Sequence, residues 1–582
     1  MENINIKVNG IAVSAPKGST ILEAARLAGV NIPTLCYLKE INAIGACRIC
    51  MVEANEGRGN RLVAACVYPI SEGMEVTTNS EKVLDSRKKT LQLILSTHRR
   101  ECLSCIRSGD CELQRLCKEF GVDDEGLYDG YLGDSTIDES AAHMVRDNTK
   151  CVLCRRCAAA CDKLQGIGVI GANERGFDTN ISCAFEMDLA DTSCVSCGQC
   201  IVACPTGALY EKDKTEEVFE ALNNPDKYVV VQTAPAVRAG LGEEFGYPIG
   251  TDVEGKMVAS LRRLGFDKVF DTDFAADLTI MEEATEFIDR VQNGGVLPLI
   301  TSCSPGWIKF CEHYYPDFIP NLSTCKSPQQ MFGAITKTYF AEKMGLDPKN
   351  IVVVSVMPCT AKKFEIGRPD QDAAGYPDVD ISITTRELSR MIKRSAIDFT
   401  LLPDENFDNP LGESTGAAVI FGTTGGVMEA ALRTAVETLT NEELKDVDFE
   451  QVRGVEGVKE ATFNVAGLEI NIAVASGLAN ARKVLEMVKS GEKNYHFIEI
   501  MGCPGGCVNG GGQPHVQASV KNNTDVRVER AKALYSNDSR KGIRKSHENP
   551  EIKKLYDEYL EKPGSHKAHE LLHTSYVKRS IL

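Results

Sequence analysis

A single tryptophan occurs in 582 residues, and the aromatic residues together make up 6% of the chain. Proteins that hold single-stranded nucleic acid stack bases on aromatic side chains set among lysine and arginine, and no stretch here combines the two. Positive charge is also scarce: 65 lysines and arginines stand against 82 aspartates and glutamates, a formal net charge of −17. Phosphate-backbone binding runs on basic side chains, so no nucleic-acid partner is expected. No apolar run approaches the ~18–20 residues of a membrane-spanning helix, so no membrane partner is expected either. The opening segment MENINIKVNGIAVSAPKG lacks a basic region followed by an apolar core. No secretory signal is therefore read, and the expected location is cytoplasmic. A phosphate-binding glycine loop is missing as well: the one glycine-rich stretch, 505–512, directly follows a cysteine with another claim on it. Any nucleotide or flavin would have to sit on a different chain.

What the chain has in excess is cysteine, 23 residues, most of them between 36 and 204. Without a secretory signal, such a count reads as metal binding or redox chemistry, not as a disulfide framework. Length suggests roughly 3–5 domains at ~100–200 residues each. The hydrophobic fraction of 43% is that of an ordinary globular protein.

Residues 4–16, INIKVNGIAVSAP, alternate around Asn9-Gly10 and predict a hairpin with a type I′ turn. Thr20 and Glu23 have capping-box spacing for the helix that follows. Hairpin then helix fits a β-grasp unit over 1–80. Residues 83–120 read as amphipathic helix within a small His/Cys domain over 81–125. The Asp- and Gly-rich stretch 123–149 reads as a linker, and 140–211 as a third domain. Beyond 226, YVVVQTAP (228–235), GVLPLITSC (295–303) and IVVVSVMPC (351–359) are β-rich runs, each followed by a helical pattern. That alternation predicts a parallel α/β sheet over 226–530, with a site beyond the carboxyl ends of its strands. Residues 531–582 read as a helical C-terminal extension.

Two stretches, Cys151–Cys161 and Cys194–Cys204, share the spacing C-x2-C-x2-C-x3-C, the second running into Pro205. In two-cluster bacterial ferredoxins the fourth cysteine of each run ligates the other cluster. Cys151, Cys154, Cys157 and Cys204 are thus expected to hold one [4Fe–4S] cluster, and Cys194, Cys197, Cys200 and Cys161 a second. Cys36, Cys47, Cys50 and Cys66 resemble the plant-type [2Fe–2S] spacing with a longer first gap. A four-cysteine zinc site is the alternative. His98, Cys102, Cys105 and Cys111 fit either structural zinc or a [4Fe–4S] cluster with one imidazole ligand. The neutral imidazole would raise the cluster's potential, which suits a branch point for electrons.

Three further stretches carry cysteines beside small residues or at the ends of apolar runs: TSCSPGW (301–307), MPCTAKKFE (357–365) and EIMGCPGGCVNGGGQP (499–514). Their thiols could converge on one more cluster, or be separate buried side chains. Cys117, Cys183, Cys311 and Cys325 read as structural.

At these three stretches the sequence resembles the iron-only (FeFe) hydrogenases, whose signatures TSCCP-x-W, MPC-x2-K-x2-E and E-x-M-x-C-x2-GC-x2-GGG-x-P they match. The N-terminal cysteine sets match the long, multi-cluster, clostridial-type members and the catalytic subunits of NAD(P)-linked hydrogenase complexes. The first ~210 residues also resemble the electron-entry subunit of respiratory NADH dehydrogenases.

The resemblance implies a multidomain α/β protein whose large domain holds the H-cluster: a [4Fe–4S] cubane joined through one cysteine to a two-iron centre carrying CO, cyanide and an aminodithiolate. It implies one [2Fe–2S] and three accessory [4Fe–4S] clusters, H2 and protons as substrates, and maturation enzymes as partners. The electron partner would be ferredoxin or an NAD(P)-binding flavoprotein subunit. By motif position Cys359 and Cys503 are cubane ligands, Cys507 bridges to the two-iron centre, and Lys362 pairs with a cyanide. Ala234, Pro235, Pro328, Gln329, Met357, Phe421 and Met501 match positions around the two-iron centre. Glu283, Ser323, Glu286 and Arg290 match the proton path.

The chain departs from the pattern at 303–304, where the family has a relay cysteine followed by a ligand cysteine. Here only Cys303 is present, followed by Ser304; either could be the cubane ligand, leaving the other as relay. Ala234 also stands where the family often has serine. The alternative readings are a hydrogen sensor and a non-catalytic hydrogenase-like iron–sulfur protein.

Overall fold

The computed structural model describes residues 2–123, 128, 130, 136–440, 442–465 and 467–581. The hairpin forms as the alternation predicts. Strands β1 (Asn3–Val8) and β2 (Ile11–Pro16) pair antiparallel, and both turn residues, Asn9 and Gly10, have positive φ, as a type I′ turn demands. The capping box is made in both directions between Thr20 and Glu23, opening the helix Ile21–Leu27. With β3 (Met51–Asn55), β4 (Asn60–Ala64) and β5 (Glu75–Thr77) these strands form a mixed sheet ordered β2-β1-β5-β3-β4. Ile6, Val8, Val52 and Val76 pack in one core with Leu22 and Ala25 of the helix.

The helical stretch expected over 83–120 is two helices, Glu81–Ser96 and Glu112–Glu119. The segment between them is non-helical because it carries turn formers, with Gly109 at positive φ. The linker expected over 123–149 is partly structured. Residues 124–127, 129 and 131–135, including the end of the 81–125 span, lie outside the described residues. From 136 onward Met144 and Val145 are buried, and this apolar content makes strands. β6 (Ile137–Asp138) pairs with β7 (Met144–Asp147). A second hairpin, β8 (Ile170–Asn173) with β9 (Asn180–Cys183), separates the two cysteine runs. β10 (Leu209–Glu211) returns to pair with β7.

The single sheet expected beyond 226 is two four-stranded sheets. Strands β11 (Tyr228–Thr233) and β12 (Lys268–Asp271) belong to the first, and β13 (Leu299–Ile300) to the second. β14 (Ile351–Met357) and β15 (Ile381–Thr384) complete the first, all parallel, in the order β12-β11-β14-β15. β16 (Val458–Val465), β17 (Leu468–Ser476) and β18 (Phe497–Met501) complete the second, ordered β13-β18-β17-β16 with only β16 antiparallel. The physical reason is the long helix Thr272–Asn293, which is apolar on two sides. Phe274 and Leu278 pack in the core of the first sheet; Ala276, Ile280 and Phe287 pack in that of the second. A helix with two greasy faces lies between layers, and here it keeps the sheets apart.

The C-terminal segment wraps this body. Helix Val526–Arg540 runs through the boundary expected at 531, having no glycine or proline to break it. Arg433 pairs with Asp538 (2.9 Å), and Thr574 N–H donates to Thr324 O (2.8 Å). Leu582, the last residue of the expected extension, lies outside the described residues. Among the described residues no helix is long and apolar enough to cross a membrane.

Candidate active site

The carboxyl ends of β11, β13, β14 and β18 point into one cavity of about 80 Å³. Its wall includes Cys303, Ser304, Cys359, Cys503, Cys507 and Lys362. Ala234, Pro235, Pro328, Gln329, Met357, Phe421 and Met501 also line it, so every residue matched to the pocket by motif is there. The lining includes Thr272, Ala276, Gly422 and Gly502 too, which the motifs had not singled out.

Backbone crowding explains the glycines. A β-carbon on Gly510 would fall 2.0 Å from Pro358 O, and one on Gly511 would fall 2.4 Å from Cys197 O. These loops close on one another only because side chains are missing. All 23 cysteines are free thiols. Cys359, Cys503 and Cys507 are close enough for their charges to act on one another, and with burial this holds the thiols above the ordinary range, Cys507 at about 12. Unpaired thiols converging in a dry, glycine-lined cavity fit a thiolate-bound iron cluster, since soft thiolate suits iron and the metal takes the place of the protons.

Lys362 and its neighbours are held by a carboxylate that the sequence reading passed over. Glu365 Oε2 accepts from Lys362 Nζ, Ser327 Oγ and Gln329 Nε2, each at 2.8 Å. Lys362 Nζ also donates to Cys303 O at 3.2 Å. Glu365 was visible as the last residue of MPCTAKKFE, one helical turn after Lys362.

Cys303 and Ser304 face different neighbours. The Cys303 thiol is pushed well up by burial, then by the charges of Glu283 and Cys507. The Ser304 hydroxyl accepts from Gly502 N–H at 3.1 Å, beside Cys503. Glu283 is buried in the helix Thr272–Asn293, and burial, against a hydrogen bond from Ser323, pushes its carboxyl up to about 8. The one hydroxyl hydrogen of Ser323 can be given to Glu283 or to Glu286, whose Oε2 lies 3.1 Å from Ser323 Oγ, and Arg290 pairs with Glu286 at 2.6 Å. Ser323, Glu286 and Arg290 are thus directly bonded to one another, with the buried Glu283 beside Ser323 and near enough to Cys303 for its charge to act on the thiol. Glu499, buried and accepting from Gly425 N–H (2.6 Å) and Met428 N–H (2.7 Å), lies near it and escaped the sequence reading.

Cys151, Cys154, Cys157 and Cys204 line a second, smaller cavity, so the four thiols expected to act together lie together. Cys194, Cys197, Cys200 and Cys161 lie close enough to act on one another's ionisation. Cys36 is in hydrogen-bonding contact with Cys47 and Cys66, and Cys66 with Cys50. In the His98 set, Cys105 acts on Cys111. His98 is buried with Nδ1 lacking a hydrogen-bond partner, and Cys102 is exposed. An orphaned imidazole nitrogen fits a metal ligand.

Backbone contacts link these sets. Asn42 Nδ2 donates to Cys36 O (2.8 Å) and Cys154 O (3.0 Å). Arg107 Nη1 donates to Cys204 O at 3.1 Å, and Cys111 Sγ to Pro205 O at 3.7 Å. Thr360 Oγ1 donates to Ser196 O at 2.8 Å, and Gln199 Nε2 to Asn509 O at 2.9 Å. Two peripheral thiol sets thus meet the Cys151–Cys204 set, and the Cys194–Cys161 set abuts the large cavity.

Such thiol sets leading to a thiol-lined cavity between α/β sheets define an iron–sulfur oxidoreductase. Family models match along the chain: the 2Fe–2S iron–sulfur cluster binding domain (1–81), the NADH-ubiquinone oxidoreductase-G iron–sulfur binding region (87–125) and the 4Fe–4S dicluster domain (150–208). The C-terminal domain of the iron only hydrogenase large subunit matches 227–511, and the iron hydrogenase small subunit matches 524–579. The chain is 53% identical to the NADP-reducing hydrogenase subunit HndD of Solidesulfovibrio fructosivorans, with 100% of both chains covered. It is 45% identical to iron hydrogenase 1 of Clostridium pasteurianum, over 98% of this chain and 100% of that one. The solved structure of a variant of apo [FeFe]-hydrogenase HydA1 from Chlamydomonas reinhardtii aligns with a TM-score of 0.57 and 42% identity, covering 63% of this chain and 100% of that one. The chain belongs to the iron-only (FeFe) hydrogenase family, and is a hydrogenase with accessory 2Fe–2S and 4Fe–4S domains.

Proposed function

We propose that the chain interconverts H2 with protons and electrons in the large cavity, with Cys303 as proton relay and Ser304 at the fourth corner of the cubane. The observation that carries this is the convergence of Cys303, Ser304, Cys359, Cys503, Cys507 and Lys362 on that cavity, with buried Glu283 near Cys303 and the bonded trio Ser323, Glu286 and Arg290 beyond it. When bound, the H-cluster supplies the metal chemistry that splits and forms H2. Cys359, Cys503 and Cys507 would hold it, with Cys507 as the bridge. Lys362, fixed by Glu365, would offer its Nζ donors to a cyanide of that group. Pro235, Pro328, Met357, Phe421 and Met501 give the cavity an apolar wall that excludes water.

The Cys303 thiol, held protonated by burial, carries a proton at Sγ. Glu283 accepts it at its carboxyl, whose ionisation near pH 8 suits transfer near neutrality. Ser323 passes it on by reorienting one hydroxyl, and Glu286 with Arg290 exchanges it with the outside. Ser304 accepting from Gly502 N–H supports its placement toward Cys503.

The thiol sets suit one [2Fe–2S] and three accessory [4Fe–4S] clusters laid out as a fork. The Cys36 set and the His98 set each feed the Cys151–Cys204 set. The likeness to an NADP-reducing hydrogenase subunit along both whole chains supports a partner that binds NAD(P). A ferredoxin is the alternative acceptor, and maturation enzymes would supply the two-iron centre.

The test is infrared spectroscopy on protein co-expressed anaerobically with the maturation enzymes. Bands in the CO and cyanide stretching region that shift under H2 are expected. Their absence from a sample with complete iron–sulfur clusters would overturn the reading.

A further inference from the structure

At the outer end of the proton series, Glu286 belongs to a side-chain cluster whose other two members, Cys325 and His573, the hydrogenase reading does not use. Cys325, a structural cysteine by its sequence, stands opposite His573 in an isolated antiparallel bridge. The bridge is fixed by main-chain hydrogen bonds, Lys326 N–H to Leu572 O and Thr574 N–H to Thr324 O, both 2.8 Å. Directly opposed residues bring their β-carbons to ~4.5–5.5 Å, so the backbone itself sets thiol against imidazole. Glu286 closes the triangle: ligand atoms of Glu286, Cys325 and His573 all lie within 4.8 Å of one another.

Each is held in place by a neighbour. Glu286 Oε2 accepts from Ser323 Oγ and from Thr324 N–H, both 3.1 Å, and Oε1 pairs with Arg290. The Cys325 thiol points at Glu286 Oε2 from 3.9 Å. His573 has Thr324 Oγ1 at 2.7 Å from Nδ1 and the buried Glu282 Oε2 at 3.2 Å from Nε2. A carboxylate behind a histidine is the arrangement that orients metal-ligating imidazoles.

We propose that Glu286, Cys325 and His573 form a binding site for a zinc-class divalent cation, and that the bound cation closes the outer end of the proton route. One thiolate, one imidazole and one carboxylate are the ligand types zinc takes, with water completing the tetrahedron. Metal–ligand distances of about 2.0–2.3 Å put ligand atoms about 3.3–3.8 Å apart; the Cys325–Glu286 edge at 3.9 Å is already near that, and the other edges, within 4.8 Å, close on binding. Binding replaces the thiol proton: Cys325–SH and M²⁺ give Cys325–S–M⁺ and one H⁺. Occupancy therefore tightens as pH rises. The cation ties up Glu286, the group assigned to exchange protons with the outside. This blocking effect rests on the proposed proton route; the metal site does not.

The test uses the holoenzyme with Zn²⁺ and Cd²⁺ as probes, compared with Cys325→Ser and His573→Gln. Wild type is expected to retain one more equivalent of Zn²⁺ after dialysis than either variant. It is also expected to show a thiolate-to-Cd²⁺ ultraviolet band that Cys325→Ser lacks. Zn²⁺ should inhibit wild-type H2 turnover at concentrations at least tenfold below those that inhibit the variants. Equal retention and equal difference spectra in all three proteins would overturn the site. Retention lost in the variants with no inhibition of wild type would establish the site and overturn its closing of the proton route.

Discussion

Gly511 lies against the main chain of Cys197, so close that a β-carbon on it would fall 2.4 Å from Cys197 O and 2.7 Å from Gly198 Cα. The contact joins a glycine-rich loop of the large domain to a cysteine run of the ferredoxin-like region, where the Cys194–Cys161 thiol set abuts the large cavity. Because the obstructing atoms are backbone, they cannot swing away. Gly511→Ala is expected to destabilise the protein by about 1–3 kcal/mol through overpacking, measured by thermal denaturation. It should also slow dye reduction by H2 more than hydrogen–deuterium exchange, which needs no electron to leave.

Ser304 makes a separable prediction. In protein produced without maturation enzymes, Ser304→Cys should hold cubane iron against a chelator longer than wild type, because thiolate suits iron better than alkoxide. Cys303→Ala should leave that iron in place. Loss of cubane iron in Cys303→Ala, followed by electron paramagnetic resonance and iron counting, would reverse the assignment of the two residues.

Glu283→Gln keeps shape and removes the titrating proton. Turnover is expected to fall by about 10²–10⁴-fold, the range of a positioned acid–base group, with infrared bands unchanged.

The same carboxyl ties stability to pH. Its ionisation is pushed from 4.5 to about 8 in the folded chain. Between those values the unfolded chain is ionised while the folded one holds its proton, so stability falls as pH rises through this window. Glu283→Gln lacks that loss. The variant's melting temperature should therefore gain on wild type from pH 5 to pH 8, then run parallel above it.

Lys362→Met leaves Glu365 buried without its cation, with only Ser327 and Gln329 as donors. Breaking a buried pair costs about 3–5 kcal/mol, to be read from denaturant unfolding. Adding Glu365→Gln should restore part of the stability but not the infrared bands of the two-iron centre.

The cysteine spacings and the Asn9-Gly10 turn were legible because ligand sets and tight turns are local rules written in a few residues. The grouping of Cys204 with Cys151, Cys154 and Cys157 was legible for the same reason, since a repeated spacing carries its own partner rule. The split into two sheets was not: YVVVQTAP, GVLPLITSC and IVVVSVMPC have one pattern, and only the packing of both faces of Thr272–Asn293 decides which pair. Glu365 stood in a motif, but its role appears only where Lys362, Ser327 and Gln329 meet it.

The sequence by itself determined which residues carry the chemistry of this protein, because the cysteine spacings and the three hydrogenase-like stretches are local patterns that stand whatever the surrounding fold. Only the tertiary structure decided what faces what. Ser304 bonds to Gly502 N–H, Lys362 reaches the Cys303 carbonyl, and the Cys325–His573 bridge closes on Glu286. Those relations join residues far apart in the chain, Glu286 and His573 among them, and chain distance carries no information about which buried groups share a wall.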